Sequence, residues 1–366
     1  MNAWRRAAAL LLTIALAFGV AGAAGANGAE TEGKTLQLIA DQSTAAAGGK
    51  VQYHLIYHNV ENKNQTNTQL HVKLHEWMEV VDAGGAEFDA TLHMLKWRVK
   101  DVKANGAHVV HFQVKLKANA KRGERIELEA EGEGDGGVKW KSPKISVKVD
   151  TETHQPFMQG YPDGTFRPDG ELTRAETAAM VARITGLRTV EASAYEDVDA
   201  SHWAHRYIMQ VKADGYMIGY DGKFRPEDPI TRAELLVLML RLHGIAEVPF
   251  EVPYGDMKAH WARYALGTAH ALGYIKPMPG EAASPHFAPD RPIERKVAAM
   301  WLSIGLLRGP LTDGDTDVVQ HFPDVPKSHP YFAWIEEASA VAHESERRGE
   351  GAEQLLRYLP EATAPF

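Results

Sequence analysis

Two arginines stand where helix electrostatics would not choose a cation. Arg174 in ELTRAE and Arg232 in PITRAE each follow a threonine and precede, by two residues, a glutamate. That places them in a first helical turn, where the macrodipole disfavours positive charge by some tenths of a kcal/mol. Backbone N–H groups converge at the same place, so an added guanidinium makes a site for an anion. An ion pair with Asp163, Asp221 or the helix's own glutamate accounts for the same residue equally well. Two tryptophans, Trp203 and Trp261, each follow a histidine at the start of a further helical pattern. From there an indole can stay half exposed and stack on a sugar face, or turn into the core. Arginine, carboxylate and aromatic face together describe a site for an acidic carbohydrate.

The elements that would position these groups are legible nearby. Thr173 with Glu176, and Thr231 with Glu234, satisfy the capping-box spacing, and the apolar runs behind them (AAMVARITGL and LLVLMLRL) read as buried helices. Ahead of each box, Asp163-Gly164 and Asp221-Gly222 form a turn in which the glycine permits positive φ. Phe166 and Phe224 read as core anchors of that loop, and Pro168 and Pro226 stiffen the approach to the helix.

These positions recur at a fixed offset of 58 residues, which marks an internal repeat. A third copy keeps Phe287, Pro289 and Arg295 a further 63 residues on, but its box reads IERKV and Ser284-Pro285 replaces the Asp-Gly turn. Its helix should persist through the stripe Val297, Met300, Trp301 and Ile304. Arg295 is therefore expected to bind ligand poorly. A second unit alternates with the first: YEDVDASHWAHRYI, YGDMKAHWARYAL and FPDVPKSHPYFAWI.

Composition narrows the rest. A chain of 366 residues, 44% of them apolar, can fill two or three domains. A formal charge of −8 argues against nucleic acid as partner. The absence of cysteine excludes a disulfide framework, thiolate metal sites and thiol nucleophiles. Arg5 and Arg6, the apolar run Ala7–Val20 and the small residues after it read as a secretory signal, so no membrane span is expected after cleavage.

From Thr35 to Asp150 the period is two, broken by AAAGGK, DAGG, KANG and EGDGG, which predicts an all-β sandwich. Histidines are dense there, yet His54/His58 and His71/His75 on strands would lie about 13 Å apart, too far to share an ion. They are read as solvated strand faces, with histidines of neighbouring strands meeting at an ion as the alternative. His75-Glu76 lacks the second histidine of a zincin helix, since Glu79 stands in its place. No metal, cofactor or catalytic residue is expected. A wall-acting glycosidase with paired carboxylates is the enzymatic alternative, because such pairs carry no sequence signature.

The segments F/Y-x-D-V-x-x-x-H-W-A, G-Y-x-D-G-x-F-R-P and I-T-R-A-E, in that order, resemble the S-layer homology domain over about residues 154–343. The resemblance implies three mainly helical repeats packed as a pseudo-trimer, with grooves between them that bind a secondary cell-wall polysaccharide, often pyruvylated. It assigns the ligand carboxylate to Arg174 and Arg232, turn shaping or sugar hydroxyls to Asp163, Gly164, Asp221 and Gly222, and groove walls to Trp203 and Trp261, with Thr173, Glu176, Thr231 and Glu234 in support. It further implies a noncovalently anchored protein of a Gram-positive-type cell surface, with peptidoglycan and other surface-layer proteins as additional candidate partners. A periplasmic protein tethering an envelope to peptidoglycan is the remaining alternative. Tyr53, Leu55, Tyr57 and Asn59, with Trp97 and the stretch Gly106–Phe112, resemble an immunoglobulin-like repeat of bacterial surface proteins. The expected organisation is a signal peptide at 1–29, a β-sandwich at 30–150 and repeats at 151–345 (154–190, 195–245, 254–308 and a closing half at 322–343). A tail at 346–366 completes it.

Overall fold

The structure, a computed structural model, describes residues 35–190, 195–275, 279, 284–339, 341–347 and 351–359. The expected signal peptide lies outside them. Two compact units result: one is Glu171–Ile230, the other the described residues of Gly25–Gly170 and Thr231–Phe366.

The β region of the larger unit runs β1 (Leu36–Ala40), β2 (Thr44–Ala45), β3 (Lys50–His58), β4 (Thr68–Lys73), β5 (Met78–Asp82), β6 (Glu87–Asp89), β7 (Met94–Val99), β8 (Ala107–Leu116), β9 (Arg125–Leu128), β10 (Ala130–Glu133), β11 (Lys139–Lys141) and β12 (Ile145–Val149). They pair as a four-stranded sheet β1-β3-β8-β5, a five-stranded sheet β11-β10-β4-β7-β6 and a three-stranded sheet β2-β12-β9. One apolar core joins all three, with Tyr53, Leu55 and Tyr57 of β3 fully buried beside Val72, Leu95, Phe112 and Val147. The alternation of β8, with Val110, Phe112, Val114 and Leu116 inward, is the period-two pattern at work.

Two stretches with no glycine or proline break where the sheets divide each change sheet. LHVKLHEWMEVV breaks at a turn closed by the Met78 N–H on the His75 carbonyl (2.9 Å), which passes the chain from the β4 sheet to the β5 sheet. RIELEAEGEG divides in the same way between β9 and β10. The hydrophobic pattern is the same on both sides of such a crossing, because both sheets face the same core.

The histidine faces are not all solvated. His54 is buried: its Nε2 meets Asp41 at 2.8 Å and its Nδ1 lies 2.5 Å from Nδ1 of His111, its register partner on β8. Asp41 also accepts from the Tyr274 hydroxyl at 2.9 Å, so residues of the helical region cover this face of β3. Burial here was set by a neighbour more than 200 positions away, which strand periodicity does not encode. His71, by contrast, stays partly exposed beside Glu131.

Beyond β13 (Glu152–His154) the chain turns helical. The smaller unit holds α1 (Arg174–Ile184) and α2 (His205–Ala213). The larger adds α3 (Arg232–His243), a 3-10 turn (Gly255–Met257), α4 (Arg263–Ala271), α5 (Arg295–Gly305) and α6 (Phe332–Ser339). Within it α3 packs on α4 and α5, and α5 on α6. No helix among the described residues is long and apolar enough to cross a membrane.

Strands, rather than a tail, account for most of the described residues past α6. β15 (His343–Glu346) and β16 (Glu353–Tyr358) join β14 (Leu311–Thr312) and β13 in a four-stranded sheet ordered β13-β15-β16-β14. The strand entering the helical region thereby pairs with β15 and shares a sheet with the chain's last described strand.

Candidate functional site in the helical repeats

Both capping boxes form. Thr173 Oγ1 accepts from the Glu176 N–H at 3.1 Å and Glu176 Oε2 accepts from the Thr173 N–H at 2.9 Å; Thr231 and Glu234 repeat the exchange at 3.3 and 2.9 Å. In the third copy Glu294 caps α5 without a side-chain bond to the helix backbone and pairs instead with the side chains of Arg291 and Lys296. The α5 helix persists on its buried face, which includes Val297, Met300 and Trp301.

The one-residue difference between the first two loops is a difference of turn. Asp221 and Gly222 both take positive φ (53° and 74°) between Tyr220 and Lys223, whose backbones exchange hydrogen bonds at 2.9 and 3.1 Å. This is the two-residue hairpin that favours an Asp-Gly pair. In the first copy the extra Pro162 widens the loop: the Tyr161 N–H reaches Thr165 O (2.7 Å), and Gly164 takes φ 82°. Asp163 accepts from the amide and hydroxyl of Thr165 (3.0 and 2.6 Å) and from Arg167 (2.9 Å), which hold its carboxyl below the usual carboxylate range. Asp163 therefore shapes the turn.

The residue after each loop phenylalanine is Arg167, Arg225 or Ala288, and each takes positive φ between 55° and 58°. Its amide and that of the phenylalanine point together at one carboxylate, as in a backbone nest. Asp197 accepts from Phe224 and Arg225 (2.8 and 2.7 Å), Asp256 from Phe287 and Ala288 (3.1 and 2.8 Å), and Asp324 from Phe166 and Arg167 (2.9 and 2.7 Å). Burial pushes the Asp197 and Asp256 carboxyls up, but the paired amides prevail and hold them below the ordinary value. Sequence reasoning passed over these three aspartates. Their signal was the invariant Asp in YEDV, YGDM and FPDV.

The three arginines share one geometry. Arg174 Nε donates to Phe224 O at 2.8 Å, Arg232 Nε to Phe287 O at 2.9 Å and Arg295 Nε to Phe166 O at 2.9 Å. Each guanidinium also lies over the ring of that phenylalanine, at 4.9, 4.8 and 4.7 Å. Arg174 spans to Ile218 O (3.1 Å) and Arg295 to the equivalent Gln159 O (2.6 Å). Each arginine thus docks on the next loop of the series, the third on the first. Arg295 is buried at 3% exposure, whereas Arg174 and Arg232 are half-buried.

Residues 155–178 and 194–236 match the S-layer homology domain family. The chain carries an S-layer homology domain. A cellulosome-anchoring protein of Acetivibrio thermocellus is 32% identical over 217 residues, 56% of this chain and 46% of that protein. Cell surface glycoprotein 1 of the same organism is 32% identical over 198 residues, 50% of this chain and 8% of that protein. An S-layer protein of Bacillus licheniformis is 26% identical over 171 residues, 45% and 18% of the two chains. The chain thus spans less than half the length of these relatives.

Both tryptophans face solvent. Trp203 and Trp261 are 55% and 58% exposed, which places neither in the core. Each leans on its preceding histidine, with ring centroids 5.9 and 5.4 Å apart. The histidines are fixed: Nδ1 of His202 accepts from the Ala204 N–H and Nδ1 of His260 from Ala262, so the Nε2–H faces Glu227 (3.1 Å) and Asp290 (3.3 Å). In the closing half-repeat His329 Nδ1 accepts likewise from the Tyr331 N–H, but Pro330 stands in the tryptophan position and Tyr331 is buried.

Proposed function

We propose that the chain is a cell-surface protein held noncovalently to the cell wall by its SLH repeats, which grip an acidic, pyruvylated secondary wall polysaccharide. The observation that carries this reading is the pair of exposed indoles at equivalent positions, Trp203 and Trp261, each steadied by a histidine of fixed tautomer. A flat apolar face held at the surface suits a sugar ring. In the same reading Arg174 and Arg232 are assigned the ligand carboxylate, and the turns at Asp163-Gly164 and Asp221-Gly222 the sugar hydroxyls. The relatives reported above are named as anchoring and surface proteins, which supports the same assignment.

In this reading the β region is an immunoglobulin-like sandwich displayed as a spacer, adhesin or surface-layer element. The repeats form a pseudo-threefold unit. The shared core of the three sheets supports the first statement. The return of the third arginine to the first loop supports the second. Arg295 lies buried with its donors on backbone carbonyls, so two strong ligand sites are expected rather than three. Two linked sites still gain by effective concentration on a repeating polymer.

The test is co-sedimentation of the full chain with purified Gram-positive walls before and after chemical removal of the secondary polymer. Binding should be lost with the polymer. Binding that survives removal moves the ligand to peptidoglycan and overturns the assignment.

A further inference from the structure

Away from the SLH loops, four buried side chains from four elements converge. β13 contributes His154, α6 Glu337, β15 His343 and β16 Glu353, and one ligand atom of each lies within 4.8 Å of the others. None of the four side chains is more than 4% exposed. His154 Nδ1 stands 2.7 Å from Glu337 Oε1 and 3.1 Å from Glu353 Oε2, while His343 Nε2 stands 2.9 Å from Glu337 Oε2.

The outer partners orient both imidazoles for ligation. His343 Nδ1 is 2.9 Å from the Val341 carbonyl, which holds the ring proton there and turns the Nε2 lone pair toward Glu337. His154 Nε2 faces Glu152 at 3.4 Å, which leaves Nδ1 for the cluster. Carboxylate and carbonyl supports of this kind are what metal-bound histidines usually have behind them. Glu353 is supported as well: Ser345 Oγ donates to its Oε2 (2.7 Å), and the Gly309 N–H and Arg347 Nη2 donate to its Oε1 (2.7 and 2.6 Å).

A second observation points inward. His154 Nδ1 and Glu337 Oε1 are both buried and, although 2.7 Å apart, neither has a hydrogen-bond partner of acceptable geometry; the nearest guanidinium to Glu337 Oε1 is Arg308, with Nη1 at 3.5 Å. Arg308 and Arg347 offset part of the charge of the two carboxylates, at Glu337 Oε1 and Glu353 Oε1, and a positive centre among the inward atoms would satisfy the lone pairs that remain.

We propose that His154, Glu337, His343 and Glu353 bind one divalent transition-metal ion, of which zinc is the best fit. Two imidazole nitrogens and two carboxylate oxygens form a four-ligand set that suits zinc. Calcium and magnesium require more oxygens and avoid histidine. Bond lengths of about 2.0–2.2 Å would draw the four groups closer together. The ion ties the strand that enters the helical region to the last helix and the two strands after it. It also reaches the β region, because Glu152, behind His154, accepts from Ser43 Oγ and Thr44 Oγ1 (2.5 and 3.0 Å). Zinc here is a clasp between the displayed domain and its anchor, distinct from any polysaccharide site.

The full chain, stripped with a chelator, is titrated calorimetrically with Zn2+, and its Co2+ form is examined by visible absorption. One ion should bind at least 100-fold more tightly than to Glu337→Gln or His343→Gln, with a raised Tm and the intense d–d bands of tetrahedral Co2+. Equal uptake by wild type and both variants would assign the metal to surface histidines and overturn the proposal. An unchanged wild-type Tm with only octahedral Co2+ bands would do the same, and would leave His154 as a protonated partner of its carboxylates. Should either variant fail to fold, the wild-type spectrum and Tm shift decide alone.

Discussion

Asp324 holds the backbone of Phe166 from 158 positions away, accepting its N–H at 2.9 Å and the next N–H at 2.7 Å. The same carboxylate clamp acts over 27 residues at Asp197 and 31 at Asp256. One device thus secures loops that are near and far in sequence, and it should matter equally in each. Asp324→Ala leaves two amides without their acceptor, at about 1–3 kcal/mol apiece if they stay dry. A clear fall in Tm is expected in thermal unfolding, with a smaller one for Asp324→Asn. An unchanged Tm for Asp324→Ala would show that water replaces the clamp.

The arginines should act through stability as well as binding. Charged hydrogen bonds contribute about 1.5–3 kcal/mol, and Arg295 makes its bonds in the most buried setting of the three. Arg295→Ala is therefore expected to lower Tm more than Arg174→Ala or Arg232→Ala, and Arg295→Lys should restore little, since an ammonium lacks the planar fork. Equal, negligible losses at all three positions would contradict the docking role.

Trp203 and Trp261 should show the opposite pattern. Both indoles are more than half exposed, so Trp→Ala at both positions is expected to move Tm by no more than about 1–2 °C while weakening wall-polymer binding at least tenfold. Full retention of wall co-sedimentation by the folded double variant would remove the tryptophans from the site.

The two capping boxes offer an internal control. Thr173→Ala and Thr231→Ala each lose a cap of about 1 kcal/mol. Glu294, which makes no such bond, should tolerate Glu294→Ala better after its ion pairs are screened with salt. Parallel denaturant titrations at high ionic strength compare the three.

His243 sets a pH dependence. Its ring nitrogens are buried at the end of α3, and the ring stacks on Tyr274 at 5.5 Å, with Asp41 and His54 also facing it. Burial pushes its pKa down from 6.5 to about 4, against the pull of Asp41. Between those values the unfolded chain takes up a proton that the folded chain refuses, so stability is retained above pH 6.5 and falls as pH drops toward 4. A shift of this size corresponds to about 3 kcal/mol. His243→Phe, which keeps the ring stacking, should flatten the Tm profile in that window. A wild-type slope preserved in the variant would assign the effect elsewhere.

What the sequence by itself determined was whatever a few neighbouring residues settle between them. The capping boxes at Thr173 and Thr231, the positive φ at Gly164 and Gly222, the inward alternation of β8 and the repeat register each depend on contacts within about one turn or one strand. Tertiary structure decided where a group's surroundings come from distant chain. Strand periodicity could not foresee that Tyr274 would cover His54, nor that two stretches without a glycine or proline break would cross between sheets sharing one core. The spacing of Arg174 left an anion site and an ion pair equally open, and the described bonds to Phe224 and Ile218 run to carbonyls that no ion-pair rule counts. The partners of His154 lie between 183 and 199 positions further on, so nothing in its own segment marks it as a ligand. Burial and charge partnership are properties of the space around a side chain, and that space is filled only when the chain has folded.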